Sequence, residues 1–361
     1  MKSERSILFH KVKSSRAAAK CKGQAHAIAF LLILVTDLGV GPADAHAPLN
    51  YLTGAGPRNV STLTWGVLII SIIVVLATTS LLLIAIFRNS RSRSSEIGER
   101  RELIDRLGNA IPAIYAGLIA SALVLFGVTI WTMVTLAEVA SPPSKPKIAI
   151  EITGHKWWWE ARYLSNEPEQ IFTTANEIHI PVGEPVAIKL RSTDVIHSFW
   201  VPALSGKTDL IPGQINTTWI LADRPGTFRG QCTEYCGLQH AHMGFEVVAS
   251  SNADFEKWRQ NQLKGASDEA LGNEAGQRAF QQKCGVCHTV RGTTAGGRVG
   301  PDLTHLMSRT TIVAATLPNK PGFLSGWIAD PQHVKPGSKM PKLQISGNEL
   351  AAIRDYLQKL N

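Results

Sequence analysis

Two long apolar runs, 61–87 and 111–137, stand out against an otherwise mixed pattern, and each exceeds the roughly 20 residues that a bilayer-spanning helix needs. They predict a transmembrane hairpin within residues 48–140. From about Ile148 the pattern changes to short alternation in "AIEITGHKWWWEARY", "EIHIPVGEPVAIKL", "NTTWILAD" and "GTFRGQ", separated by glycine- and proline-bearing turns. This predicts an all-β domain, a sandwich or small barrel, over 141–250. Residues 251–273 contain "DFEKWRQNQL", which reads as a short helix, and then small and polar residues that read as a linker. In 274–361 the spacing is helical. Leu350, Ile353, Leu357 and Leu360 define a closing helix, with Ser346 as its N-cap and Glu349 three residues on.

The chain is therefore expected to be a multidomain membrane protein with a hairpin, an all-β domain and an all-α domain. The first 47 residues read as a signal peptide: seven basic residues precede "AIAFLLILVTDLGV", and "GPADAHA" offers a small-residue cleavage site near Ala47. Arg88, Arg91, Arg93, Arg100, Arg101 and Arg106 lie between the apolar runs and predict a cytoplasmic loop. Everything after about 141 is then expected in the periplasm of a bacterium, anchored to its inner membrane.

Charge adds little to this picture. The excess of +9 is concentrated in residues 1–140, with 14 basic and 8 acidic residues, whereas 141–265 holds 12 and 13. No folded segment carries a basic stripe with a reader motif, so nucleic acid is not an expected partner.

The chemistry lies in the cysteines. Four of five fall into two tight pairs, Cys232 with Cys236 and Cys284 with Cys287, while Cys21 stands alone. Around the first pair, "GQCTEYCGLQHAHMGF" adds His240, His242 and Met243, and "DVIHSFWVP" adds His197. Thiolate, thioether and imidazole together select copper over hard cations, and zinc has no use for the methionine. One thiolate suffices for a mononuclear blue-copper site, so two thiolates and two histidines fit a binuclear one. The alternative is a Cys232–Cys236 disulfide with a surface histidine, which explains neither His197 nor Met243. His242 reads as an ordinary hydrogen-bonded histidine.

"GHKWWWE", "STDVIHSFWVPALSGKTDLIPGQ" and "RGQCTEYCGLQHAHMGF", with the hairpin before them, closely resemble subunit II of haem-copper cytochrome c oxidases over roughly residues 50–250. The resemblance implies a cupredoxin-like fold holding a CuA centre. Cys232 and Cys236 would bridge, His197 and His240 would be terminal ligands, Met243 a weak ligand, and Glu234 a ligand through its carbonyl. It also implies that the Glu234 side chain helps bind magnesium at the contact with subunit I. Trp157 aligns with the aromatic through which electrons enter from cytochrome c, although a tryptophan on a strand more often packs a core.

The second pair lies in "KCGVCH", the Cys-x-x-Cys-His of covalent haem c attachment, with Cys284 and Cys287 as thioethers and His288 as the iron ligand. "VGPDL" and "PGSKMP" resemble the corresponding stretches of class I cytochromes c and place Met340 as the sixth ligand, which raises the iron potential. His305 and His333 are its rivals. A haem and a copper pair on one anchored chain imply the electron-entry subunit of a caa3-type cytochrome c oxidase, a proton-translocating oxidoreductase of the respiratory chain. Its expected partners are subunit I, where oxygen is reduced, other oxidase subunits, and a periplasmic donor, either a c-type cytochrome or a quinol-cytochrome c reductase. Competing readings are the entry subunit of a copper-containing nitric oxide reductase and a copper-binding assembly protein.

Overall fold

A computed structural model describes residues 58–89 and 99–361, with side chains from 60–87 and 111–361. The signal segment 1–47, its cleavage site, Cys21, Arg91 and Arg93 lie outside the described residues, as do the side chains of Arg88, Arg100, Arg101 and Arg106.

Helix α1 spans Arg58–Asn89 and α2 spans Glu99–Ala140. Within them, Val60–Phe87 and Ile111–Ala140 have mean hydropathies of 2.9 and 2.2, and their large apolar side chains point outward, as a lipid-facing surface requires. Helix α2 starts well before the apolar run because "ERRELIDRLGNA" is rich in helix-forming residues. A Cβ at Gly66 would overlap the ring of Trp131, so this glycine lets the two helices approach closely.

The β-domain is a sandwich of two five-stranded sheets. The strands are β1 (Ile148–His155), β2 (Trp158–Leu164), β3 (Phe172–Ala175), β4 (Glu177–Pro181), β5 (Val186–Ser192), β6 (His197–Trp200), β7 (Thr208–Leu210), β8 (Asn216–Ile220), β9 (Gly226–Cys232) and β10 (Gly244–Ser250). One sheet runs β3-β2-β1-β5-β8 and the other β4-β10-β9-β6-β7, antiparallel except where β1 meets β5 and β4 meets β10. Ile150, Ile152, Ile188, Leu190, Phe199 and Phe245 fill the space between them. The stretch "AIEITGHKWWWEARY" folds back on itself, pairing His155 with Trp158 and leaving Lys156 and Trp157 at the end of the sandwich.

The expected linker is tied to its neighbours at several points. Helix α3 (Asn252–Leu263) belongs to the sandwich, where Trp258 stacks on His179 at 4.1 Å. Beyond it, the Ala266 amide donates to the Arg291 carbonyl, the Ser267 hydroxyl donates to the Lys359 carbonyl at 2.7 Å, and Ala270 of α4 (Asp268–Leu271) is buried in the next core. Small residues here mark close packing: a Cβ at Gly265 would lie 3.2 Å from the Arg291 carbonyl oxygen.

The C-terminal domain contains α5 (Glu274–Lys283), a two-stranded ribbon of β11 (Thr311–Ile312) and β12 (Leu317–Pro318), α6 (Pro321–Ala329), α7 (Pro331–Val334) and α8 (Gly347–Leu357). Helix α8 begins with the expected capping box, Ser346 and Glu349 each accepting from the other's amide. It crosses α5 at Gly276, where a Cβ would lie 2.5 Å from the Ala352 carbonyl oxygen and 2.6 Å from the Tyr356 Cβ. Gly276→Ala forces the two helices apart. We expect a loss of about 1–3 kcal/mol, seen as an earlier thermal transition of this domain in the full chain.

Candidate metal centres

The first site lies where β6 begins and where the loop from β9 to β10 turns beneath it. His197 is fully buried, and its Nε2 meets Asp194 Oδ1 at 2.8 Å. This bond directs Nδ1 toward the sulfurs, 3.9 Å from Cys232 Sγ. Burial alone would raise the Asp194 carboxyl, but hydrogen bonds from His197 and from the Val195 and Lys156 amides outweigh it and hold the group below its usual range. A Cβ at Gly154 would lie 2.8 Å from His197 Cδ2, so only glycine leaves room for the ring.

Cys232 Sγ and Cys236 Sγ are 3.8 Å apart, too far for a disulfide bond of about 2.05 Å, and both thiols are free. Cys236 Sγ lies 3.5 Å from His240 Nδ1 and 3.8 Å from Met243 Sδ, and the Glu234 carbonyl oxygen lies 3.3 Å from Cys232 Sγ. All six expected donors thus converge. The hydrogen bond between the two sulfurs lowers the Cys232 thiol and raises that of Cys236. Metal binding would expel the thiol protons. Trp159 supports the loop from below, donating from Nε1 to the Met243 carbonyl at 3.2 Å. His242 instead bonds Gln239 through Nδ1 at 2.7 Å, as expected of a structural histidine.

The second site follows α5. The Cys287 and His288 amides both donate to the Cys284 carbonyl, so one helical turn gathers the whole motif. His288 Nδ1 bonds the Pro301 carbonyl at 2.8 Å, leaving Nε2 free to bind a metal. Burial lowers the His288 pKa and keeps the ring neutral, while burial raises the Cys284 thiol to about 11. Gly300 sits against the imidazole, where a Cβ would be 2.6 Å from Cε1.

These residues and Met340 line one cleft. Gln332 Nε2 fixes the methionine loop, donating to the Met340 carbonyl at 2.7 Å and the Ser338 carbonyl at 2.9 Å. Neither His305 nor His333 lines the cleft: His305 is tied to the Asn361 and Lys264 carbonyls, and His333 is exposed. The walls are apolar, yet Lys156, Lys283, Arg309, Lys335 and Lys339 also line them, with no carboxylate among the described residues. Buried Arg309 has an Nε without a hydrogen-bond partner. An apolar slot with cations and no acids fits a flat hydrophobic group carrying carboxylates, as haem does.

The two sites face each other across a docked interface. Lys335 is buried there, and its Nζ donates to the Trp157 and His242 carbonyls at 2.7 Å each. Burial pushes its ammonium down to about 7. Buried Glu177 on β4 accepts from the Thr310 amide and hydroxyl at 2.8 and 2.7 Å. Val313, Ala314 and Ala315 adopt φ values of 57°, 56° and 54°, a run that side chains with a Cβ disfavour. Bonds to the β-domain hold it: the Gly244 amide donates to the Ala314 carbonyl and Arg229 to the Ala315 carbonyl.

Trp157 lies between the sites. Only 8% exposed, it lines the cleft and donates from Nε1 to the Cys236 carbonyl at 3.0 Å. Its ring faces the C-terminal domain, where a Cβ at Gly337 would lie 3.6 Å from Trp157 Cη2. Sequence reasoning missed Asp194, Gln332 and Lys335. Asp194 was signalled by its place three residues before His197, whereas Lys335 carried no local signal.

Residues 163–250 match the family described as cytochrome c oxidase subunit II, periplasmic domain, and residues 273–361 match cytochrome c. Among curated relatives, cytochrome c oxidase subunit 2 of Alkalihalophilus pseudofirmus is 39% identical over 216 residues, covering 59% of this chain and 61% of that protein. The subunit 2 proteins of Bacillus sp. (strain PS3) and Bacillus subtilis are 30% and 29% identical, with 70% and 80% of their lengths covered. The solved periplasmic domain of oxidase subunit II from Bradyrhizobium japonicum is 30% identical, with a TM-score of 0.31, covering 33% of this chain and 95% of that one. Because the likeness to the PS3 protein runs over 256 residues, beyond the reach of either matched domain alone, the chain belongs to the cytochrome c oxidase subunit II family, in a form that carries a cytochrome c domain.

Proposed function

We propose that this chain is the electron-entry subunit of a caa3-type cytochrome c oxidase. Electrons from a periplasmic donor, a c-type cytochrome or a quinol-cytochrome c reductase, enter at the haem c domain, continue to CuA and leave for subunit I, where oxygen is reduced to water with proton pumping. The observation that carries this reading is the facing of the two donor sets across one interface, with Trp157 lining the cleft and bonded to Cys236.

His197, Cys232, Cys236, His240, Met243 and the Glu234 carbonyl would hold copper, and Cys284, Cys287, His288 and Met340 would hold haem. Bound haem and paired copper supply one-electron redox chemistry. The chain's part is to fix the ligands, through Asp194, Pro301 and Gln332, and to exclude water from the interface. Trp157 receives electrons from the chain's own haem domain rather than from a soluble cytochrome. The Glu234 side chain contributes to a magnesium site with subunit I. The helices anchor the chain in the bacterial inner membrane, with both metal domains in the periplasm.

The test is to purify the full chain with haem and copper in detergent and record optical and electron-spin spectra during reductive titration. More hyperfine lines than one copper nucleus produces, together with electron transfer from reduced haem to copper, are expected. A single ordinary copper, or centres that never exchange electrons, would overturn the relay.

A further inference from the structure

The cleft of the C-terminal domain is not closed by that domain alone. Lys156, Trp157, Trp158 and Asn176, all from the β-sandwich, line it together with Cys284, His288 and Met340. Lys156 sits at the β1–β2 turn, and its amide is fixed by Asp194 Oδ2 at 2.7 Å. Trp158 is held by stacking on His155, with centroids 4.4 Å apart. Asn176 is locked by a bond from the Trp159 amide to its Oδ1 at 2.9 Å. These are rigid positions in the sandwich, and the Lys335 and Glu177 contacts hold the other domain against them. Four of the five cations in the cleft come from the C-terminal domain, and the fifth is Lys156.

We propose that the haem site is a two-domain site, completed by the copper domain, in which Lys156 supplies a cation that balances the haem carboxylates. This rests on the haem assignment above. A positive charge beside the cleft favours the reduced iron, which carries one positive charge fewer than the oxidised form. Docking onto the copper domain therefore raises the haem's affinity for electrons. Lys156 acts here as a positioning and tuning residue, with no part in forming the thioethers or ligating iron.

The experiment is a spectroelectrochemical titration of the haem and copper bands in the full chain, comparing the unaltered protein with Lys156→Gln, Lys156→Glu and Lys156→Arg. Lys257→Gln, on the exposed face of α3, is the control. A charge lost at roughly 10 Å in a medium of intermediate dielectric lowers the reduced-to-oxidised ratio of the haem at fixed potential about five-fold, and reversal lowers it about twenty-five-fold. Lys156→Arg and Lys257→Gln leave it unchanged, and the copper band moves less than the haem band in every variant. A haem ratio altered less than about two-fold by the reversal, or a copper shift equal to or larger than the haem shift, would overturn the two-domain site. Chain that carries no covalent haem at all would instead refute the relay itself, and a denatured haem spectrum beside an intact control separates that failure from this one.

Discussion

Replacing Cys236 with serine is expected to reduce the copper content of the full chain from a pair to a single ion at most, and to replace the multi-line electron-spin signal by that of one ordinary copper. Cys236 Sγ is the hub of the site, within 4 Å of Cys232 Sγ, His240 Nδ1 and Met243 Sδ. A hydroxyl in its place is a hard, weakly acidic donor that cannot bridge two soft metal ions. The fold should survive, because the loop is held independently by the Trp159 bond to the Met243 carbonyl and by the β9–β10 ladder. Asp194→Asn should act more mildly, weakening copper about 10–100-fold by loosening His197. His242→Ala should leave copper unchanged. Metal analysis and electron-spin spectra of the three variants rank them, and a Cys236→Ser chain that retained the multi-line signal would remove Cys236 from the centre.

The ranking also shows where the sequence was informative. Cys232, Cys236, His240 and Met243 lie within one loop, so their chemistry can be read from spacing, and the cap of α8 likewise lies within four residues of chain. The interface is another matter. Lys335 bonds residues 178 and 93 positions away, Trp157 and His242, and Thr310 reaches Glu177 across 133 positions. No local pattern encodes such pairings. Composition reads residues 251–273 as a short helix and a linker of small and polar residues, and it carries no sign of the bonds that Ala266 and Ser267 make to the C-terminal domain. At Gly265 the small residue leaves room for the Arg291 carbonyl, and the Ser267 hydroxyl reaches the Lys359 carbonyl. Trp157 combined both cases: its place in a motif was legible, but what covers it depended on how the two domains dock.

Met340 carries the second large effect. Met340→Ala is expected to leave haem covalently attached, since Cys284 and Cys287 are untouched, while lowering its midpoint potential by a sizeable part of the roughly 0.8 V range that axial ligation spans. The thioether stabilises the reduced iron relative to water or a nitrogen donor, so its loss favours the oxidised form. Electrons would then enter more slowly and be less readily held at the cleft. Gln332→Ala, which frees the loop by removing the bond to the Met340 carbonyl, should move the potential in the same direction by less. His333→Ala should not move it, because His333 is exposed and does not line the cleft. An optical redox titration of the three chains gives the order directly. An unchanged potential in Met340→Ala would assign the sixth position to another donor. His305 could serve only by leaving the Asn361 and Lys264 carbonyls, which lie 3.0 and 3.2 Å from its two ring nitrogens.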